Sequence, residues 1–238
     1  MRALVTGAAG LIGSNLALEL ERQGHEVVAL DDFSTGTFEN LRAFKGDVVA
    51  ADLADSQWQD KVGKIDGVFH QAAITDTTVM DQKLMMRVNV EAFRSLLGWA
   101  AKAGVKKVVY ASSAGVYGDL PVPQKETAQP KPLNVYAFSK AIMENVARDF
   151  QKKHKKMSIT GLRYFNVFGP REQHKGKAAS MIWQLYLQMR AAKRPRVFEF
   201  GEQYRDFIYV KDVVRANIFA ARKGARGVFN CCTGKKTT

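Results

Sequence analysis

The first half of the chain alternates short apolar runs with longer amphipathic ones. Residues 2–6, 26–30, 47–49, 67–70 and 107–112 are largely apolar, several of them on successive positions. That is the pattern of strands in a parallel sheet covered on both faces. Between them, residues 11–23 and about 82–102 carry apolar side chains at helical spacing, and a short helix is expected near Gln57. Such alternation predicts a Rossmann-like, doubly wound α/β sheet with right-handed crossovers. Further on, the pattern predicts a helix carrying Tyr136, a strand over 158–163 and a helix over 178–190. Strands over 197–200 and 204–210, a helix over 211–222 and a last strand over 228–231 follow. Pro121, Pro123 and Pro130, ahead of Pro132, mark the loop before Asn134 as an irregular excursion.

Composition changes this picture little. With 238 residues and 46% of them hydrophobic, the chain can bury a full core. No apolar run approaches the ~18 residues of a membrane span, so no membrane partner is expected. The start runs straight into a strand, which predicts no signal peptide. The two cysteines, Cys231 and Cys232, are neighbours. They suit neither a disulfide framework nor a metal site, and a reducing, cytoplasmic compartment is expected, with no metal.

The formal net charge of +13 suits a polyanionic ligand, with nucleic acid as the rival partner. The cations are scattered, apart from clusters at 152–156 and 190–196. The first cluster ends a predicted helix, where positive charge offsets the dipole. It is read as a solvated face, and no nucleic-acid partner is expected.

The turn after the first strand is Thr6-Gly7-Ala8-Ala9-Gly10-Leu11-Ile12-Gly13. Glycines there allow a tight turn, close approach to a pyrophosphate, and seating of the helix on the sheet. The spacing is Gly-x-x-Gly-x-x-Gly. Asp31 and Asp32 end the second strand, where a carboxylate can accept hydrogen bonds from ribose hydroxyls. Asp52 and Leu53 follow the third strand; Asp52 either meets an adenine amino group or is a surface aspartate. The fourth strand ends in Phe69-His70-Gln71-Ala72-Ala73, whose small residues permit close approach of a cofactor. His70 is read as a satisfied core histidine. Asn89, inside the long helix, is either exposed or bonded to a neighbouring strand, and the second is favoured.

Ser113 lies at the carboxyl end of the fifth strand, which points into the crevice where such sheets bind ligands. Tyr136 and Lys140, four apart at the start of a helix, share a face. An ammonium about 4 Å from the phenol, at an effective dielectric near 20, is worth about 4 kcal/mol, enough to lower its pKa by about three units. Tyr136 could then take a proton from a hydroxyl and return it.

The glycine turn, Ser113, Tyr136 with Lys140, and Arg205-Asp206-Phe207 together resemble the extended short-chain dehydrogenase/reductase family over the whole chain. That resemblance implies that the serine orients a substrate hydroxyl and the tyrosine moves its proton. The lysine would lower the tyrosine pKa and hold the nicotinamide ribose. It also implies a cofactor site of Gly7, Gly10, Leu11, Ile12, Gly13, Asp31, Asp32, Asp52, Leu53, Gln71, Ala72, Ala73, Asn89, Tyr136, Lys140 and Val167. The sugar-nucleotide dehydratases of the family carry Thr-Asp-Glu where this chain has Ser113-Ala114-Gly115, so elimination of water is not implied.

Within the family, Pro132-Leu133-Asn134-Val135-Tyr136, the run from Arg163 to Glu172 and above all His174-Lys175-Gly176 resemble the ADP-glycero-manno-heptose 6-epimerases. That branch implies Lys175 as a second acid/base opposite the tyrosine, the alternative being a surface lysine that binds phosphate or nothing. Thr75, Ser113, Asn166, Lys177 and Arg205 would contact the substrate, a nucleotide-diphosphate sugar. There are three departures. Residues 33–41 hold no lysine or arginine, where NADP-binding members carry a lysine, so NAD is expected, with NADP as the alternative. Lys177 stands where a serine is usual. Family members also run on beyond the length of this chain, so the small C-terminal substrate lobe is expected to be incomplete.

The expected organisation is a dinucleotide-binding unit over 1–165 and a substrate lobe over 166–238, interleaved with late elements of the sheet. The function implied is a nucleotide-sugar epimerase of bacterial lipopolysaccharide synthesis. The alternatives are a UDP-hexose 4-epimerase and a catalytically silent cofactor-binding protein. The helix over 82–102 and the Tyr136 helix match the family's dimer faces, which implies a homodimer or larger homo-oligomer.

Overall fold

A computed structural model describes residues 1–197 and 199–238. The chain opens with β1 (Arg2–Thr6), α1 (Leu11–Arg22), β2 (Glu26–Asp31), β3 (Asp47–Ala50) and β4 (Gly67–His70). Next come α2 (Gln82–Met85), α3 (Ala92–Lys102), β5 (Lys107–Ser113), α4 (Val135–Lys153) and β6 (Ser158–Tyr164). After these lie β7 (Asn166–Phe168), α5 (Met181–Arg190), β8 (Phe207–Tyr209), α6 (Val210–Lys223) and β9 (Gly227–Cys231).

Seven strands form one parallel sheet in the order β3-β2-β1-β4-β5-β6-β9. The order reverses between β1 and β4. Ligands of open α/β sheets bind beyond the carboxyl ends of the strands at such a switch point. Successive strand residues feed opposite faces. Ala3, Val5 and Val109 pack with Leu16 and Leu20 of α1 and Val213 of α6. Leu4, Val68, Val108 and Tyr110 pack with Phe93 and Leu97 of α3 and Met143 of α4. Burial on both faces is why these strands are apolar on consecutive positions rather than alternate ones.

Several boundaries depart from the sequence reading. The helix expected over 82–102 is interrupted by a π-turn over Met86–Glu91, which widens the helix where Asn89 turns inward. Near Gln57 there is only a 3₁₀ turn at Gln59–Lys61. The strand expected over 197–200 includes Phe198, which lies outside the described residues, and Glu199–Gly201 is a 3₁₀ turn. The strand expected over 204–210 contracts to β8, which pairs in parallel with β7, an unexpected element, as a separate two-stranded sheet. The expected helix over 178–190 begins at Met181, after a 3₁₀ stretch over Gln173–Ala178.

Candidate active site

The glycine turn sits at the switch point. Gly7 has φ +63, and a Cβ there would come within 2.5 Å of the Ala72 nitrogen, so only glycine allows the turn to lie against the end of β4. A side chain at Gly13 would overlap the Gly7 carbonyl. The first turn of α1 has Gly10 at its cap, no capping side chain and no acidic residue. Its backbone N–H groups, including those of Leu11, Ile12 and Gly13, are therefore left for an anion. This cradle fits the pyrophosphate of a dinucleotide.

The two aspartates ending β2 and following it divide the work. Asp31 is buried; its Oδ2 accepts from the Ala9 amide and its Oδ1 from the Phe33 amide, both at 2.8 Å. Burial pushes its carboxyl above the usual range, against the pull of those two amides. Asp31 thus braces the turn, while Asp32 is exposed and accepts from the Ser34 amide and hydroxyl at 3.0 and 2.7 Å. Asp52 accepts from the Ala54 amide and pairs with Arg87 at 3.6 Å, and Leu53 beside it is buried.

Opposite the turn, Gln71 accepts from the Tyr164 hydroxyl at 3.0 Å and donates to Asn217 at 3.1 Å, fixing the start of the Gln71-Ala72-Ala73 wall. Asn89 is fully buried and bonded, as favoured from the sequence, although to a loop rather than a strand. Its Oδ1 accepts from the Ile74 amide at 2.8 Å, and its Nδ2 donates to the Ile74 carbonyl and to Ser139 Oγ. Ser139 in turn donates to the Tyr136 carbonyl at 2.7 Å. The π-turn therefore steadies both the loop leading to the exposed Thr75 and the first turn of α4. His70 bonds Thr6 Oγ1 at 2.8 Å and stacks on Phe93. Burial pushes its imidazole down to about 3. It is a neutral core histidine, but not a fully satisfied one, since its Nε2 has no partner among the described residues.

Asn134 caps α4 by accepting from the Ala137 amide at 2.8 Å. Tyr136, Lys140 and Glu144 then repeat at i, i+4 and i+8, and the last two are fastened to the end of β5. Ser113 acts on the Tyr136 phenol to lower its pKa, and its Oγ accepts from the Gly115 amide at 3.0 Å. Lys140 Nζ donates to the Ala111 carbonyl at 2.9 Å. Glu144 accepts from Ser112 Oγ at 2.6 Å and pairs with Arg163 of β6. Glu144 went unnoticed in the sequence, although its spacing from Tyr136 and Lys140 was the signal that could have found it.

The electrostatics differ from the expectation. Lys140 Nζ stands 5.8 Å from the centre of the Tyr136 ring and is turned to a carbonyl. Burial pushes its amine down to about 7. The Tyr136 phenol lies above its ordinary value, raised by burial and only partly opposed by the neighbouring Ser113. In the polypeptide alone, desolvation outweighs the attraction that was to lower it.

A second cleft, of about 460 Å³, gathers Asn166, Val167, Lys175 and Arg205, together with Arg196 and Thr237. Asn166 donates to the Asp206 carbonyl at 3.0 Å, and the Arg205 backbone pairs with Thr237. Burial pushes the Lys175 amine down, against the opposing pull of Glu172. Lys177 is exposed and outside this lining. Ser113 and Tyr136 are also absent from it, so the expected residues form two groups. One is at the β5–α4 junction and one is in the cleft. Among the described residues no cluster of His, Cys, Asp and Glu could hold a metal, and no helix is long and apolar enough to cross a membrane.

Known proteins agree with this geometry. Residues 3–232 match the model of the NAD dependent epimerase/dehydratase family. The chain is similar to an ADP-L-glycero-D-manno-heptose-6-epimerase from Helicobacter pylori, with 43% identity and a TM-score of 0.92 over 99% of this chain and 76% of that one. A Thermotoga maritima UDP-glucose 4-epimerase with UDP-glucose superposes with a TM-score of 0.93 at 34% identity, over 100% of this chain and 79% of that one. The Thermus thermophilus UDP-glucose 4-epimerase, in complex with NAD, gives 0.89 at 31% identity, over 100% and 79%. The cofactor is thus NAD, and the chain belongs to the NAD dependent epimerase/dehydratase family.

Proposed function

We propose that the chain epimerises a nucleotide sugar by transient oxidation to a ketone, with ADP-glycero-manno-heptose inverted at C6 as its substrate. The observation that carries this reading is Lys175, drawn into the cleft beside Asn166 and Arg205 with an amine that burial pushes towards neutrality. The similarity to the Helicobacter pylori heptose enzyme supports it, as does His174-Lys175-Gly176.

NAD, when bound, supplies the acceptor and later the donor of hydride. The chain's own residues move the protons. Ser113 orients the substrate hydroxyl, and Tyr136 receives its proton. Lys140, whose amine burial pushes down to about 7, would favour the phenolate that accepts this proton whenever it carries its charge. Lys175 returns a proton from the other side. Arg205 suits the diphosphate, and Asn166 fixes the edge of the sugar pocket.

The cleft is lined wholly by residues from 166 onward, which supports reading 1–165 as the dinucleotide unit and 166–238 as the substrate lobe. Phe138, half exposed on α4, supports pairing of the α3 and α4 faces between copies. The decisive test is to incubate the NAD-loaded protein with ADP-heptose and with UDP-glucose and resolve the product epimers. Faster inversion of ADP-heptose is expected. Preference for UDP-glucose would move the chain to the 4-epimerases.

A further inference from the structure

The segment that carries Lys175 is fastened to the dinucleotide turn by a side chain that no motif singles out. Asn40, in the loop after β2, is buried. Its Nδ2 donates to the Ala9 carbonyl of the glycine turn at 2.9 Å and to the Arg171 carbonyl at 3.1 Å. The same nitrogen lies 3.1 Å from His174 Nδ1. Two carbonyl oxygens at this end of the amide fix it as nitrogen, because an amide oxygen there would face both of them. Two N–H groups thus serve three neighbours, and burial, then the charge of Lys175, push the His174 imidazole down against the opposing pull of the Arg171 carbonyl, Asp31 and Glu172.

The rest of the segment is held just as firmly. Asn15 of α1 donates to the Pro170 carbonyl at 3.0 Å and accepts from Arg171 at 3.1 Å. Glu172 is buried and accepts from the Gly169 and Ser180 amides at 2.9 and 2.8 Å. Between these fastenings Arg171 takes φ +75, a left-handed conformation that a non-glycine residue keeps only where its surroundings impose it. The position of Lys175 is therefore set from the cofactor side. Among the described residues, Asn40 bonds the glycine turn and Arg171 and lies against the residue next to Lys175.

We infer that Asn40 is a positioning residue for Lys175, coupling the dinucleotide turn through His174 to the placement of the substrate-side amine. The inference rests on the reading of Lys175 as the second proton carrier. It separates the two halves of the reaction. Asn40 touches neither Ser113, Tyr136 nor Lys140, so the Tyr136 half should survive its loss while the Lys175 half should not.

The test compares Asn40→Ala, His174→Leu, His174→Asn and Lys175→Met, each loaded with NAD and given ADP-heptose. Reduction of bound cofactor is read by nicotinamide absorbance, and inversion by product stereochemistry. Displacing a catalytic group by about 1 Å can cost about a hundredfold. Asn40→Ala should therefore slow inversion by about ten- to a hundredfold while cofactor reduction stays within about threefold of the parent. His174→Leu should show the same split. His174→Asn keeps a polar atom the same two bonds from Cβ as Nδ1 and should recover most of the inversion, which a purely space-filling role would not predict.

Equal loss of both half-reactions in Asn40→Ala, at full NAD occupancy, would make Asn40 only a brace of the glycine turn and overturn the inference. Parental inversion by His174→Leu would overturn it independently, should Asn40→Ala fail to fold. Lys175→Met identifies which idea has failed. If that variant inverts normally, the two-carrier reading is wrong. If it is blocked while Asn40→Ala inverts normally, the positioning role alone is wrong.

Discussion

The Glu144 carboxylate meets the Arg163 guanidinium through two hydrogen bonds of 2.9 and 2.7 Å, with 1% and 3% of the two side chains open to solvent. This pair joins α4, the helix of Tyr136 and Lys140, to β6, and Ser112 adds a third hydrogen bond to the same carboxylate. Removing one partner leaves a buried charge uncompensated, which costs about 3–5 kcal/mol. Glu144→Ala should therefore lower the unfolding midpoint by about 10 °C. Replacing both residues, Glu144→Leu with Arg163→Met, should recover much of that loss. Thermal unfolding decides it, and a shift of a degree or two in the single variant would mean that water enters and solvates Arg163.

Lys140 opposes stability while serving the site. Its folded pKa, about 7, lies below its ordinary value because burial disfavours the ammonium. The unfolded chain therefore holds this proton to higher pH than the folded one. The group's contribution to stability rises between about pH 7 and about pH 10.4, and the burial penalty is fully present below about 7. Lys140→Met should unfold about 3–6 °C higher at pH 7, after allowing for the lost bond to Ala111, and should lose epimerisation. The gap should narrow at pH 9. A gap independent of pH would show that the amine stays charged in the folded protein.

The first half of the fold was legible because β1, β2, β4 and β5 are buried on both faces, and they appear close to where the apolar runs placed them. The glycine turn was legible for a local reason, since Gly7 and Gly13 meet backbone at distances no side chain could share. Pairings made across long separations were not legible. β7 is three residues long and pairs with β8, Asn166 opposite Phe207, and Asn166 gives it little strand preference of its own. The π-turn at Asn89 was hidden likewise, because it depends on Ile74 and Ser139, fifteen and fifty residues away. Within the site, residue types pointed to Tyr136 and Lys140. The direction of their pKa shifts depended on burial, which spacing does not report.

NAD should bind better than NADP. Asp32 is exposed just beyond β2, and Asp31 is committed to the Ala9 and Phe33 amides. Residues 33–41 supply no cation, and Arg42 is paired with Glu39 at 3.4 Å. A 2′-phosphate near Asp32 would meet like charge, at about 2–3 kcal/mol or about a hundredfold in affinity. Titrating the cofactor-free protein with each dinucleotide measures the ratio. NADP binding tenfold more tightly would mean that Arg42 leaves Glu39 to meet the phosphate.

Lys175 separates the two epimerase chemistries. Inverting a carbon outside the sugar ring does not require the whole sugar to turn over. The ketone can present its other face by rotating about the exocyclic bond, and its oxygen then points away from Tyr136. A second proton donor must meet it there. An amine qualifies when desolvation brings its pKa towards neutrality, the direction in which burial pushes Lys175. A 4-epimerase instead swings the keto-sugar about its diphosphate and returns the same oxygen to the same tyrosine, needing no second carrier. Lys175→Met keeps the length of the side chain and removes the proton. It should cut inversion by about 10²–10⁴-fold, the usual contribution of a positioned acid or base, while substrate still reduces the bound cofactor through Tyr136. Reduced nicotinamide should therefore accumulate, visible by absorbance, without product of the opposite configuration. Normal inversion would assign the chain to the UDP-hexose mechanism. Loss of both half-reactions would leave Lys175 a binding residue of the cleft and nothing more.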